Sequence, residues 1–154
     1  MTYAEWFEFH AKRHGEIVAK LLNRGYDKAA IIDYFDFDNM VTAEPDFCPL
    51  YAEKKKCHDM ERLNCYLCAC PYFRFNDDGI DVLERTEENE KREAESGGLT
   101  VYSFCAIDAV DGKQAVFGDA VHQDCSQCLL PHRRGFIEKH FDTNWKTIMA
   151  SCPD

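Results

Sequence analysis

The sequence predicts an α+β fold, a small cysteine-rich domain stapled by metal. Three observations lead there. Apolar residues recur at helical spacing near both ends of the chain. A short alternating segment lies between them. Nine cysteines fall in 154 residues. A hydrophobic share of 45% and an aromatic share of 13% belong to a chain that builds a core, not to a disordered one.

Residues 1–44 carry no cysteine and read as a helical hairpin. Thr2-Tyr3-Ala4-Glu5 is a capping box. Trp6, His10, Ile17 and Leu21 follow at helical spacing, and Gly25 suits a left-handed cap. Asp27 can cap a second helix that carries Ala30, Ile31, Tyr34 and Phe35, and the stretch from Met40 to Pro45 leads out of it. His10 and His14 lie one turn apart, which is metal-ligand spacing. No third ligand is near in sequence, so they read as ordinary helix-surface histidines.

Residues 45–154 form the cysteine-rich, metal-binding part. Pro45, Pro49 and Pro71 argue for loops shaped around ligands. Residues 76–98 are an acidic insert in which Glu87–Lys91 and Glu88–Arg92 are favourable helix pairs. Leu99-Thr100-Val101-Tyr102-Ser103-Phe104 alternates, Asp111-Gly112 is a turn dipeptide, and Ala115-Val116-Phe117 can return, so a β-hairpin is expected over 99–121. The C-terminal part is helical through Phe136, Ile137, His140 and Phe141. Asp142 is a candidate cap for Trp145, Ile148 and Met149.

Charge narrows the function. Eighteen bases against 28 acids leave a net charge of −10. That balance argues against nucleic acid and against an anionic membrane surface, both of which need clustered Lys and Arg. The start of the chain lacks a basic, apolar leader, and no apolar run approaches the ~20 residues of a membrane span. A cytoplasmic protein with reduced thiols is the expectation.

The cysteines carry the chemistry. They are Cys48, Cys57, Cys65, Cys68, Cys70, Cys105, Cys125, Cys128 and Cys152. An odd count in a reducing compartment argues against a disulfide framework. A CxxC turn aims two thiolates at one ion, and Cys65/Cys68 and Cys125/Cys128 both meet that demand. Two distant CxxC pairs commonly join at one ion. Cys70 follows Cys68 too closely to share it easily and points to a second centre, for which Cys48, Cys57 and Cys105 remain. Four plus four is the working count, with the grouping open. Cys152 has no place in it and reads as a free thiol. His58 and His132 are each candidates to replace a cysteine or to support one by hydrogen bonding.

Three stretches carry a family resemblance: Cys57-His58, the run Asn64-Cys65-Tyr66-Leu67-Cys68-Ala69-Cys70-Pro71-Tyr72, and the run Asp124-Cys125-Ser126-Gln127-Cys128-Leu129-Leu130-Pro131-His132. In these the chain resembles the cysteine-rich small domain family, described as metal-binding and common in anaerobic bacteria and archaea. The likeness spans roughly Cys48 to Phe141, and Cys105 would supply the cysteine that the family has between the two runs. Residues 1–44, the insert 76–98 and Cys152 depart from it. The resemblance implies metal binding and no established reaction, with a weak link to corrinoid metabolism.

Two cofactor readings follow. Iron–sulfur, as one or two clusters of the 4Fe–4S type, is favoured by the acidic balance, the Cys70-Pro71 pair and the Cys68–Cys70 spacing. Zinc, as one or two ions, is favoured by the two histidines and the missing ferredoxin spacing. The first makes the protein an electron carrier or cluster donor to a protein partner. The second makes it a stapled interaction or accessory module. An enzyme is the weakest class, because no Gly-rich phosphate loop, HExxH or G-x-S-x-G is present.

Overall fold

Helices take both ends of the chain and short strands the middle in the computed structural model, which describes residues 2–75 and 99–151. Helix α1 spans Tyr3–Asn23. Its capping box forms as expected: Thr2 Oγ1 accepts from the Glu5 amide at 3.1 Å, and the Glu5 carboxylate accepts from the Thr2 amide at 2.8 Å. Gly25 takes φ +79° just past the helix, the region that glycine enters without a Cβ penalty. Asp27 caps α2, Lys28–Tyr34, by accepting from the Ala30 amide at 2.9 Å.

A third helix, α3, covers Phe37–Ala43, where the sequence reading had the chain leaving the hairpin. Phe37 and Met40 are buried on its inner face, and the Phe37 amide donates to the Leu63 carbonyl at 2.9 Å. Tertiary burial decides the conformation there. At the other end lie α4, Arg134–His140, and α5, Trp145–Ser151. The cap of α5 is Asn144, whose side chain accepts from the Thr147 amide at 3.1 Å. Asp142, the expected cap, instead accepts from the Asn144 amide at 2.8 Å.

The strands differ from the expected hairpin. Strand β1, Phe73–Phe75, pairs antiparallel with β3, Ser103–Cys105, with Phe73 opposite Cys105. Strand β2, Thr100–Val101, runs parallel to β5, Ala120–Asp124. The hairpin is β4, Lys113–Phe117, against β5. It turns at Gly118, which takes φ +64°. Asp111-Gly112 belongs to an earlier turn, closed by the Gly112 amide on the Ala109 carbonyl at 2.9 Å. Val101, Phe104 and Val121 bury one another in a satellite cluster, and that burial pulls β2 alongside β5.

One principal core runs from Ile17 on α1 to Ile148 on α5, through Ile31, Phe35, Tyr66 and Ile137. His10 and His14 belong inside it and not on the surface: His14 is fully buried and His10 is 6% exposed. Trp145 stacks edge-on to His10, and Tyr66 edge-on to His14. Among the described residues no helix is long and apolar enough to cross a membrane. The acidic insert 76–98 and Cys152 lie outside the described residues.

Candidate metal centres

The cysteines sit on loops that the core holds in place. Cys48 precedes a short 3-10 helix, Pro49–Glu53, and Cys57 lies in the loop after it. Cys65, Cys68 and Cys70 share the segment that follows Leu63. Its start is pinned to α2 and α3: the Cys65 amide donates to the Phe35 carbonyl at 2.8 Å, and Asn64 forms a bridge with Asp36. Cys105 ends β3, and Cys125 follows β5. Gln123 joins those two ends by accepting from the Cys105 amide at 3.1 Å. Both CxxC segments close the same turn, with the second amide donating to the first carbonyl: Cys68 to Cys65 at 3.3 Å and Cys128 to Cys125 at 3.0 Å. No disulfide joins the eight described cysteines.

Electrostatics divides them into two sets. Burial first, then Cys57 and Cys48, pushes the Cys65 thiol up to about 12. Burial, then Cys65, Cys48 and Cys57, raises Cys68 well above its usual value. Cys57 is the exposed member, and its thiol is still raised, by desolvation and then by Cys48. In the other set, burial and then Cys105, Cys125 and Cys128 push Cys70 up to about 12. Burial, then Cys128 and Cys105, lifts Cys125 to about 11. The sets are therefore Cys48, Cys57, Cys65, Cys68 and Cys70, Cys105, Cys125, Cys128. The two CxxC pairs fall in different sets. Each is completed by single cysteines from elsewhere, and Cys68 and Cys70 face different sets across Ala69.

Thiols raised in this way are protonated and inert at neutral pH, which is the opposite of an activated nucleophile. A cation placed among them reverses the balance, because it favours the thiolates that burial and mutual repulsion oppose. The second set lines a small cavity of about 20 Å³, walled also by Tyr72, Leu130 and Pro131. That is room for a water-sized body.

A trio with ligand chemistry adjoins the first set. Cys57, His58 and His132 offer ligand atoms that all lie within 4.8 Å of one another, and among the described residues they are the one such group. The His132 Nδ1–H donates to the Asn64 carbonyl at 2.8 Å, and the His58 Nε2–H donates to the Cys125 carbonyl at 2.9 Å. The other nitrogen of each ring turns toward Cys57 Sγ, His58 Nδ1 at 3.0 Å and His132 Nε2 at 3.6 Å. Rings anchored on a carbonyl through one nitrogen are the form in which histidine ligates metal. Burial holds His132 below its ordinary value, which keeps it neutral.

Three supporting residues escaped the sequence reading. Buried Tyr51 turns its hydroxyl toward the Cys65 thiol, and its ionisation is opposed by burial and then by Cys65, Cys68 and Cys48. An O–H in that position can donate to an anionic sulfur. Asn64 and Gln123 fix the two cysteine loops. Only the Asn64 side chain stood in a recognisable motif. No family model, curated protein or solved structure matches the chain.

Proposed function

We propose that this is an iron–sulfur protein with one cluster on each set of four cysteines, working in electron transfer or cluster delivery to a protein partner. The observation that carries the reading is the division of eight thiols, seven of them buried or half-buried, into two sets of four. Cys48, Cys57, Cys65 and Cys68 would hold one cluster, and Cys70, Cys105, Cys125 and Cys128 the other. Spacing favours clusters over single ions. Four thiolates on one zinc sit roughly 3.8 Å apart, from a bond of about 2.3 Å and tetrahedral angles. No three thiols of either set close to within 4.8 Å of one another among the described residues. The hydroxyl of Tyr51, beside Cys65, fits as a donor to cluster or thiolate sulfur, a contact that raises reduction potential.

Such clusters supply one-electron chemistry. The chain positions the two sets side by side, since only Ala69 separates Cys68 from Cys70. A second reading has its own observation: the trio Cys57, His58 and His132 suits one zinc ion with an open fourth position. Its role would then be that of a zinc-stapled accessory module. One preparation separates the two. Protein purified without oxygen is expected to be brown, with about eight iron and eight sulfide per chain for two four-iron clusters. Colourless protein with zinc and no sulfide would overturn the iron–sulfur reading and leave the zinc one.

A further inference from the structure

Beyond the metal sets, we propose that the protein binds a neutral, planar, conjugated ring in a cavity that touches both of them. A partly open cavity of about 370 Å³ lies between α1, β1 and the cysteine loops. That volume falls in the range of small-molecule sites, which are mostly apolar clefts between structural elements. Its outer wall is aromatic: Tyr3, Trp6 and Phe7 from α1, Phe73 and Phe75 from β1. Tyr3 packs on both phenylalanines of β1 at 5.5 Å, and Phe7 on Phe75 at 6.2 Å, so the rings of the wall support one another. Its inner wall is made of Cys68 from one set and Cys70, Cys125 and Cys128 from the other.

Charge and hydrogen bonding select the occupant. No Asp, Glu, Lys or Arg stands among the described residues that line the cavity, in a chain that is 30% charged. The polar groups of the lining are committed within the protein. The Tyr3 hydroxyl is held by His122 Nδ1 at 2.6 Å and Ser103 at 3.1 Å, and Gln123 accepts from the Cys105 amide. His58 and His132 are anchored on carbonyls. An ion entering this space would lose its hydration without a charged partner, whereas a flat neutral ring gains stacking on the aromatic wall and apolar contact with the sulfur wall. Placed there, the ring lies against residues of both cysteine sets. Any use of it as an electron donor or acceptor rests on the iron–sulfur reading, while the binding itself does not.

The test is titration of the metal-loaded protein with lumiflavin, a neutral tricyclic ring. Its fluorescence and that of Trp6 are followed, with iron, zinc and sulfide measured on the same sample. One saturable site per chain is expected, with tryptophan emission quenched in step. Trp6→Ala, at a residue 40% exposed and so tolerant of change, is expected to weaken binding tenfold or more at unchanged metal content. Phe117→Ala, on the exposed hairpin, is expected to leave it unchanged. Absence of saturation, or equal affinity in wild type and Trp6→Ala, would overturn the proposal. Binding by a zinc-loaded, sulfide-free protein would keep this proposal and remove the iron–sulfur reading. A cluster-loaded protein that binds nothing would do the reverse.

Discussion

His10 and His14 show at the scale of single residues how burial sets chemistry. Desolvation first, and Arg13 second, lowers His10 to about 4; desolvation and then His10 lower His14 to about 3. Both folded values lie below the ordinary 6.5 of the unfolded chain. The unfolded chain therefore takes up protons first as pH falls. Stability from the neutral rings is complete above about pH 6.5 and is lost toward about 4 for His10 and about 3 for His14. Within that window each pH unit costs up to about 1.4 kcal/mol per histidine. His14→Phe keeps an aromatic ring against Tyr66 and removes one titration. Between pH 7 and pH 5 the melting temperature of wild type is expected to fall several degrees further than that of His14→Phe. Parallel curves would contradict the buried, neutral assignment. Their four-residue spacing was visible in the sequence, but their burial was not. It is made by Phe47, Tyr66 and Trp145, residues far away along the chain.

Among the elements, the cysteine loop that starts at Leu63 depends on one side chain. Asn64 is buried, donates to the Ile32 carbonyl at 2.7 Å and to Asp36 at 2.8 Å, and accepts from the Tyr66 amide at 2.9 Å. Its own carbonyl receives His132. Asn64→Ala strands the buried Tyr66 amide and removes a donor from the Ile32 carbonyl and the half-buried Asp36 carboxylate, and is expected to cost about 3 kcal/mol, given about 1–3 kcal/mol for a stranded group and about 1 kcal/mol for each further hydrogen bond lost. A melting curve within a degree of wild type would contradict that role. Local rules made the first two helices legible, because the capping box, Gly25 and Asp27 act within a few residues. The strands were not legible in the same way. β1 with β3 and β2 with β5 pair across long separations, and only burial of Val101, Phe104 and Val121 selects that arrangement. Helix α3 was hidden for the same reason, since Phe37 and Met40 gain their partners from the core.

For the whole molecule, the candidate ligands could be read from composition and spacing, whereas their grouping could not. CxxC spacing shows which two thiols are close, and nothing in it says which other pair completes a set. The fold resolves this by bringing Cys48 and Cys57 to Cys65 and Cys68, and by carrying β3 and β5 to Cys70 with Cys105, Cys125 and Cys128. Two sets of thiols then sit on either side of Ala69, beside one aromatic-walled cavity. This division is the central claim, and iron content of cysteine variants prepared without oxygen tests it most directly. Cys65→Ser and Cys125→Ser are each expected to lose about half of the iron. Cys65→Ser/Cys68→Ser is expected to lose no more than Cys65→Ser, and Cys65→Ser/Cys125→Ser to lose nearly all, since sites that share no partners add. If Cys65→Ser/Cys125→Ser keeps as much iron as either single variant, the two CxxC pairs share one centre and the division into these two sets is wrong.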